Sequence, residues 1–252
     1  MATQALFYQD IAAVSSSRHA DLCVDRTAGF EFSSKTNYVP LAGSEFERAA
    51  WYYPIVFLVR GEDIVPAAVL GFGDEDNLFV NGMQWDCDYV PAYIRRYPFI
   101  LANVTEGGTF TLCIDQSYAG CQEHGKGERL FLIGGGRTPF LEQMLAFVQQ
   151  YQVETASSIQ ACKQVAELEL FEPMQAQVAL NSGQKLALGG FMTIDRERLR
   201  ALSPESLHAL SSTGVLELLY LHLFSLANFG SLMDRHAANA AAATEEDGDA
   251  AR

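Results

Sequence analysis

Residues 51–103 read WYYPIVFLVRGEDIVPAAVLGFGDEDNLFVNGMQWDCDYVPAYIRRYPFILAN, and no other part of the chain restricts the fold as much. This run holds both tryptophans, five of the ten tyrosines and four of the eight prolines. Its segment PIVFLVR (54–60) is continuously apolar between a proline and Gly61-Glu62-Asp63, with the length and β-branching of a central strand. VPAAVLGFG (65–73) reads as the antiparallel neighbour across a short polar turn. DEDN (74–77) is a turn and 78–80 a third strand, and Asn81-Gly82 is a hairpin signal. Residues 90–96 fit a helical turn with Pro91 in its first position.

The remaining chain supplies shorter strands and most of the helix. Residues 1–18 read as a loose lead-in and 20–24 as a short strand. Pro40 forces Val39 to be extended. Residues 44–50 form a helical turn, with Ser44 as cap and Glu47 completing a capping box. Residues 109–115 alternate as a strand, 116–127 form a solvated loop, and 129–133 are a further strand. Thr138 caps a helix that has Pro139 in first position, and apolar residues continue at helical spacing through Tyr151. A second helix runs over 154–170 and Pro173 ends it. Residues 175–180 and 185–188 form a hairpin around Asn181-Ser-Gly-Gln184. Asp195 and Ser203 cap short helices, and Gly214 precedes a last helix over 215–235. The predicted fold class is α+β: a mostly antiparallel sheet in the N-terminal half, packed with a helical C-terminal half that contains one β-hairpin. Residues 1–236 are expected as one domain, with sub-lobes 20–133 and 138–236 allowed. Residues 237–252 are expected as a disordered acidic tail.

Charge and cysteine content narrow the partners. The 252 residues carry a formal net charge of −14, and a surface that acidic repels phosphate backbones and anionic lipid. No nucleic acid is therefore expected as partner. The residues at 215–233 are strongly apolar, but Glu217, His222 and Asn228 interrupt them, so a buried core helix is expected there and no membrane span. The five cysteines are odd in number and make no CxxC pair, which fits reduced thiols. The first residues show neither a basic start nor an unbroken apolar core, and the expected compartment is the cytoplasm.

Several patterns touch on chemistry. Gly134-Gly135-Gly136-Arg137 lacks the Lys-Ser/Thr of a phosphate loop and the spacing of a dinucleotide fingerprint, so a surface turn is expected. His19-Ala20-Asp21 has the spacing of part of a non-haem iron triad, with His124, His208 or His222 as distal ligand, yet five histidines make such spacing a matter of chance. Asp115, Glu123 and His124 lie close in sequence and offer a His–carboxylate pair for acid–base work. Neither arrangement is compelling, and no catalytic residue, metal or cofactor is expected. The aromatic segment 85–99 (WDCDYVPAYIRRYPF) is the most distinctive piece. Arg95 and Arg96 are candidates to clamp an anionic ligand, with Trp85, Tyr89, Tyr93 and Tyr97 as a stacking wall. The alternative is that the rings pack on the sheet and the arginines pair with Asp86 or Asp88.

Tyr53-Pro-Ile-Val-Phe57, Asn77-Leu-Phe-Val80, Trp85, Tyr89-Val-Pro91, Arg95-Arg-Tyr-Pro-Phe99, Leu112-Cys-Ile-Asp115, Gly189-Gly-Phe191, Ile194-Asp195 and the closing apolar helix to Asn228 resemble the bacterial SapC family. The likeness spans about residues 38–235 in the same order. The family takes its name from a surface-layer gene region and is distinct from the like-named permease of a peptide transporter. The resemblance implies gene neighbourhoods with TonB-dependent receptors and flavin-dependent halogenase-like proteins, but no catalytic residues. The expected function is that of a non-enzymatic accessory protein that binds a protein partner or a small acidic, peptide-like ligand. The alternatives are an enzyme of the non-haem metal oxygenase type acting on amino acids or peptides, and a structural component of the surface layer at the cell surface.

Overall fold

The computed structural model describes residues 6–73, 76–102, 110–179 and 185–250. Asp74 and Glu75 of the acidic turn, Thr109, the hairpin turn at 181–184 and residues 251–252 lie outside the described residues. The chain is α+β, with every strand pair among the described residues antiparallel. It divides into two compact units that interleave along the sequence. One comprises residues 1–33, 80–86 and 92–153, the other 34–79, 87–91 and 154–252. The boundaries therefore do not follow the chain order, whereas the division allowed from sequence lies near Thr138.

The second unit is built on a five-stranded sheet. Ile55–Arg60 lies at its centre, as the apolar run predicts, and pairs with Asp63–Val69 in the register Arg60 to Asp63. Gly61 makes the tight turn at φ +61°, a conformation that favours glycine. Tyr38–Pro40 forms one edge of the sheet. The hairpin of Phe171–Ala179 and Lys185–Ile194 adds to the other side through Phe191 opposite Leu58 and Met192 opposite Phe57. The hairpin expected in the helical half is thus part of the main sheet, and its second strand runs straight through Gly189-Gly190. Pro173 stands in the edge strand rather than ending a helix, in keeping with its missing N–H.

Helices follow in the same unit. Asp195 Oδ1 accepts from the N–H groups of Glu197 and Arg198, and Ser203 Oγ accepts from that of Ser206, so both predicted caps form. The helix expected over 215–235 breaks at Leu226-Ala227 into Val215–Ser225 and Asn228–Ala250. Asn228 Nδ2 donates to the carbonyls of Ala50 and Tyr53 at that break. Residues Val215–Ala241 are long and apolar enough, by length and composition, to cross a membrane. On their inner face His222 and Ser225 are fully buried against Ile55, while Tyr220 and Phe224 are exposed. The last helix continues to Ala250, through the alanine-rich stretch expected as a disordered tail; alanine is the strongest helix former.

The predicted Ser44–Glu47 box lies two residues earlier: Glu45 Oε2 accepts from the N–H of Ala42, while Ser44 Oγ donates to Glu154. The stretch 1–18, expected as a loose lead-in, contains a strand. Ile11–Ala13 forms the edge of a three-stranded sheet in the first unit, beside Thr111–Asp115, which has Phe99–Ala102 on its other side. Leu22–Val24 pairs with Cys121–Glu123 and Glu128–Arg129, so part of the expected solvated loop is strand. Val80–Asn81 and Gln84–Trp85 form the expected hairpin, with Asn81 opposite Gln84, so Gly82-Met83 sits at the turn.

The two helices expected over 140–170 are one, Pro139–Glu167. Leu141, Met144, Val148, Tyr151, Thr155, Ser158, Cys162 and Val165 are all buried at alternating spacings of three and four. Thr155 and Ser158 hide this stripe from a hydrophobicity reading. Ser158 is satisfied inside: its Oγ donates to the carbonyl of Glu154 and accepts from the N–H of Gly43.

A tyrosine-caged arginine as candidate functional site

The segment 85–99 folds around the helical turn Ala92–Arg95. Consecutive residues on a helical turn point in different directions, so Arg95 and Arg96 part company. Arg95 is exposed, with its guanidinium carbon 5.3 Å from the ring centre of Phe147. Arg96 is buried, 1% exposed, and its guanidinium carbon lies 4.2 Å from the ring centre of Tyr93, 5.0 Å from Tyr151 and 5.7 Å from Tyr8. No carboxylate pairs with Arg96 among the described residues, and its Nε and Nη2 have no hydrogen-bond acceptor there. These two N–H groups form one edge of the guanidinium and point the same way, the arrangement that receives both oxygens of a carboxylate. Burial works against the Arg96 charge, yet its pKa is raised on balance and the group stays a cation.

The cage is closed by the start of the chain. The N–H of Leu6 donates to the Tyr93 hydroxyl, and the Tyr8 hydroxyl donates to the carbonyl of Phe99. Burial pushes the Tyr8 hydroxyl pKa up, despite the neighbouring Arg96, so Tyr8 is a neutral ring and no counter-ion. Beside the cage, Asp115 is fully buried and ties the same segment down. It accepts from the N–H groups of Gln9 and Asp10, from the N–H and hydroxyl of Ser117 and from the Tyr97 hydroxyl. Burial alone would raise its pKa; the bonds from Ser117, Gln9 and Asp10 win, and the carboxyl is held below its ordinary range.

Of the six candidate residues, five belong to the first unit and Tyr89 to the second. Tyr93, Arg96 and Tyr97 are buried in one cluster, where Tyr97 also stacks on Phe32 with ring centres 4.1 Å apart. Trp85 packs edge-on to Phe30. Tyr89 belongs to the other unit, where its hydroxyl donates to Glu45 Oε1 and its carbonyl accepts from the Tyr53 hydroxyl. Tyr8 and Tyr151 belong to the cluster and are far away in sequence, so no local pattern announces them.

The histidine candidates are dispersed. His19 is buried; its Nδ1 accepts from the N–H of Ser15 and its Nε2 faces the Gln116 side-chain amide, with burial and then Arg18 lowering its pKa. Asp21 lies outside, bonded to Arg129 at 2.7 Å with His124 3.9 Å away. Asp115 and His124 thus have separate partners. Among the described residues no three His, Cys, Asp or Glu side chains cluster so as to hold a metal ion. The Gly-rich stretch is a turn, as expected: Leu132 N–H donates to the Gly136 carbonyl and Gly135 N–H to the Leu132 carbonyl, with Gly134 at φ +103° and Gly135 at φ +89°.

These features define an α+β protein whose most unusual group is a buried cation held by aromatic faces. The family model described as SapC matches residues 14–232, and the chain belongs to the SapC family. No curated protein and no solved structure matches it.

Proposed function

We propose that this SapC-family protein is a recognition protein, without bond-making chemistry, and that it takes the carboxylate of a small acidic or peptide-like ligand. The observation that carries the reading is the unmatched edge of Arg96. Removing a guanidinium from water costs several kcal/mol. Each ring face returns about 0.5–2 kcal/mol and leaves the in-plane N–H groups of Nε and Nη2 unserved. A carboxylate completes them with two parallel charge-assisted bonds. Entry requires the segment carrying Leu6 and Tyr8 to lift from Tyr93 and Phe99. The candidate acid–base groups are engaged elsewhere: Asp115 is saturated by donors, and the Nδ1 of His19 accepts from its own chain. The five unbridged cysteines support a reducing compartment for this work, the cytoplasm.

The test is thermal unfolding in sodium acetate against sodium chloride at constant ionic strength. The wild-type midpoint is expected to rise saturably in acetate, because a ligand that binds only the folded state stabilises it by mass action. Arg95→Ala should keep the response. Arg96→Met, which fills the volume without the charge, should lose it, and Arg96→Lys should show a weakened one should the methionine variant fail to fold. No acetate-specific rise in the wild type, or an undiminished rise in the Arg96 variants, refutes the reading.

A further inference from the structure

The first unit contains a cleft of about 650 Å³ at the Gly-rich turn, separate in its lining from Arg96. Its walls are chemically lopsided. Arg137 is exposed there and no carboxylate lines the cleft among the described residues, although the chain carries −14 overall. Among the described residues nothing acidic pairs with Arg137. Behind it, Leu141 and Leu145 present successive turns of the long helix, and Phe110, 54% exposed, stands among the lining residues. Ser15 and Gln149 add hydroxyl and amide groups to the lining.

A cation beside an apolar wall, with uncharged hydrogen-bonding groups, matches a carboxylate carried on an apolar body with amides beside it. We infer that the cleft binds the free C-terminus of a short apolar peptide, with Arg137 taking the terminal carboxylate and Phe110, Leu141 and Leu145 taking the last side chain. The turn geometry helps in one respect. Leu132 N–H bonds Gly136 and Gly135 N–H bonds Leu132, so the loop preceding Arg137 is tied into a hairpin and the guanidinium springs from a fixed base. Amide-bearing walls favour a peptide over a fatty acid, whose chain has no use for Ser15 or Gln149. The inference does not need the Arg96 reading, since the two sites share no residue.

Fluorescence anisotropy with labelled Ala-Ala-Leu-Phe tests it, using the full chain. The free acid is expected to bind, and the C-terminal amide at least tenfold more weakly. Arg137→Ala should cost the free acid a similar factor and leave the amide unchanged, and Phe110→Ser should weaken both. Arg95→Ala, at an exposed arginine outside the cleft, should leave peptide binding intact, and the two sites can fail separately because they share no residue. Equal binding of acid and amide overturns the inference, as does an unaffected Arg137→Ala variant or no binding at millimolar peptide. Decanoate competing better than the peptide also overturns it, in favour of a lipid acid. Both Arg137 and Phe110 are exposed, so these variants are expected to fold, and a matching circular dichroism spectrum checks it.

Discussion

His222 shows what burial does to a single titratable group in this protein. It is fully buried, its Nδ1–H donates to the Ile55 carbonyl at 2.8 Å and its Nε2 accepts from the N–H of Ile194 at 3.2 Å. Both contacts suit the neutral ring. Burial lowers its pKa to about 4, with the Ile55 bond opposing. The unfolded chain takes up a proton near the ordinary value of 6.5 while the folded chain does not. The stability due to this group is therefore complete above pH 6.5 and is lost as the pH falls towards 4, by about 3 kcal/mol in all. Urea unfolding across that window should show the decline, and His222→Gln should flatten it from a lower starting stability. A wild-type profile flat from pH 7 to 4 contradicts the assignment. At the same scale, Arg95 and Arg96 look like a pair in the sequence, yet the helical turn between them sends one to solvent and one to the core. The rule that neighbours on a helix do not share a face was available from the sequence; the identity of the cage was not, because Tyr8 and Tyr151 reach Arg96 from opposite ends of the first unit's sequence.

Among the elements, the long helix Pro139–Glu167 closes in a way that invites repair. The Glu169 N–H bonds the Ala166 carbonyl and the Leu170 N–H reaches back to Val165, the paired bonds of a Schellman ending. That ending needs a left-handed residue, and Glu169 holds φ +54° where glycine is usual. The left-handed conformation costs a side-chain-bearing residue about 1 kcal/mol. Glu169→Gly is therefore expected to stabilise the protein by about 0.5–1 kcal/mol in urea unfolding, and a loss of stability would show that the carboxylate has a role of its own. The elements that sequence reading places well are those with local grammar. The apolar run at 55–60, the Gly61 turn and the caps at Asp195 and Ser203 each depend on residues within a few positions. Those it misses depend on distant partners. Ile11–Ala13 and Phe99–Ala102 become strands because both border Thr111–Asp115. Within the unbroken helix the Ser158 hydroxyl accepts from the N–H of Gly43, a partner that no local pattern contains.

For the whole molecule, the two units draw on alternating pieces of the chain, and the aromatic segment is where the alternation is fastest. Trp85 belongs to the first unit, Tyr89 to the second and Tyr93 to the first again. Of that run, Tyr93, Arg96 and Tyr97 are buried together in the first unit. The molecule carries a net charge of −14 and still buries a guanidinium with no carboxylate partner among the described residues. We propose that, in a chain with acids in excess, a buried cation without a carboxylate partner among the described residues is kept for a guest. A crystal structure grown with 4-bromobenzoate, whose ring-bound bromine is inert towards the free thiols, tests it most directly. The account predicts two oxygens within hydrogen-bonding distance of Nε and Nη2 of Arg96, with the anomalous bromine signal beside Tyr93 and Tyr151. Bromine found elsewhere, with that edge of Arg96 turned onto a carboxylate of the chain itself, would contradict it.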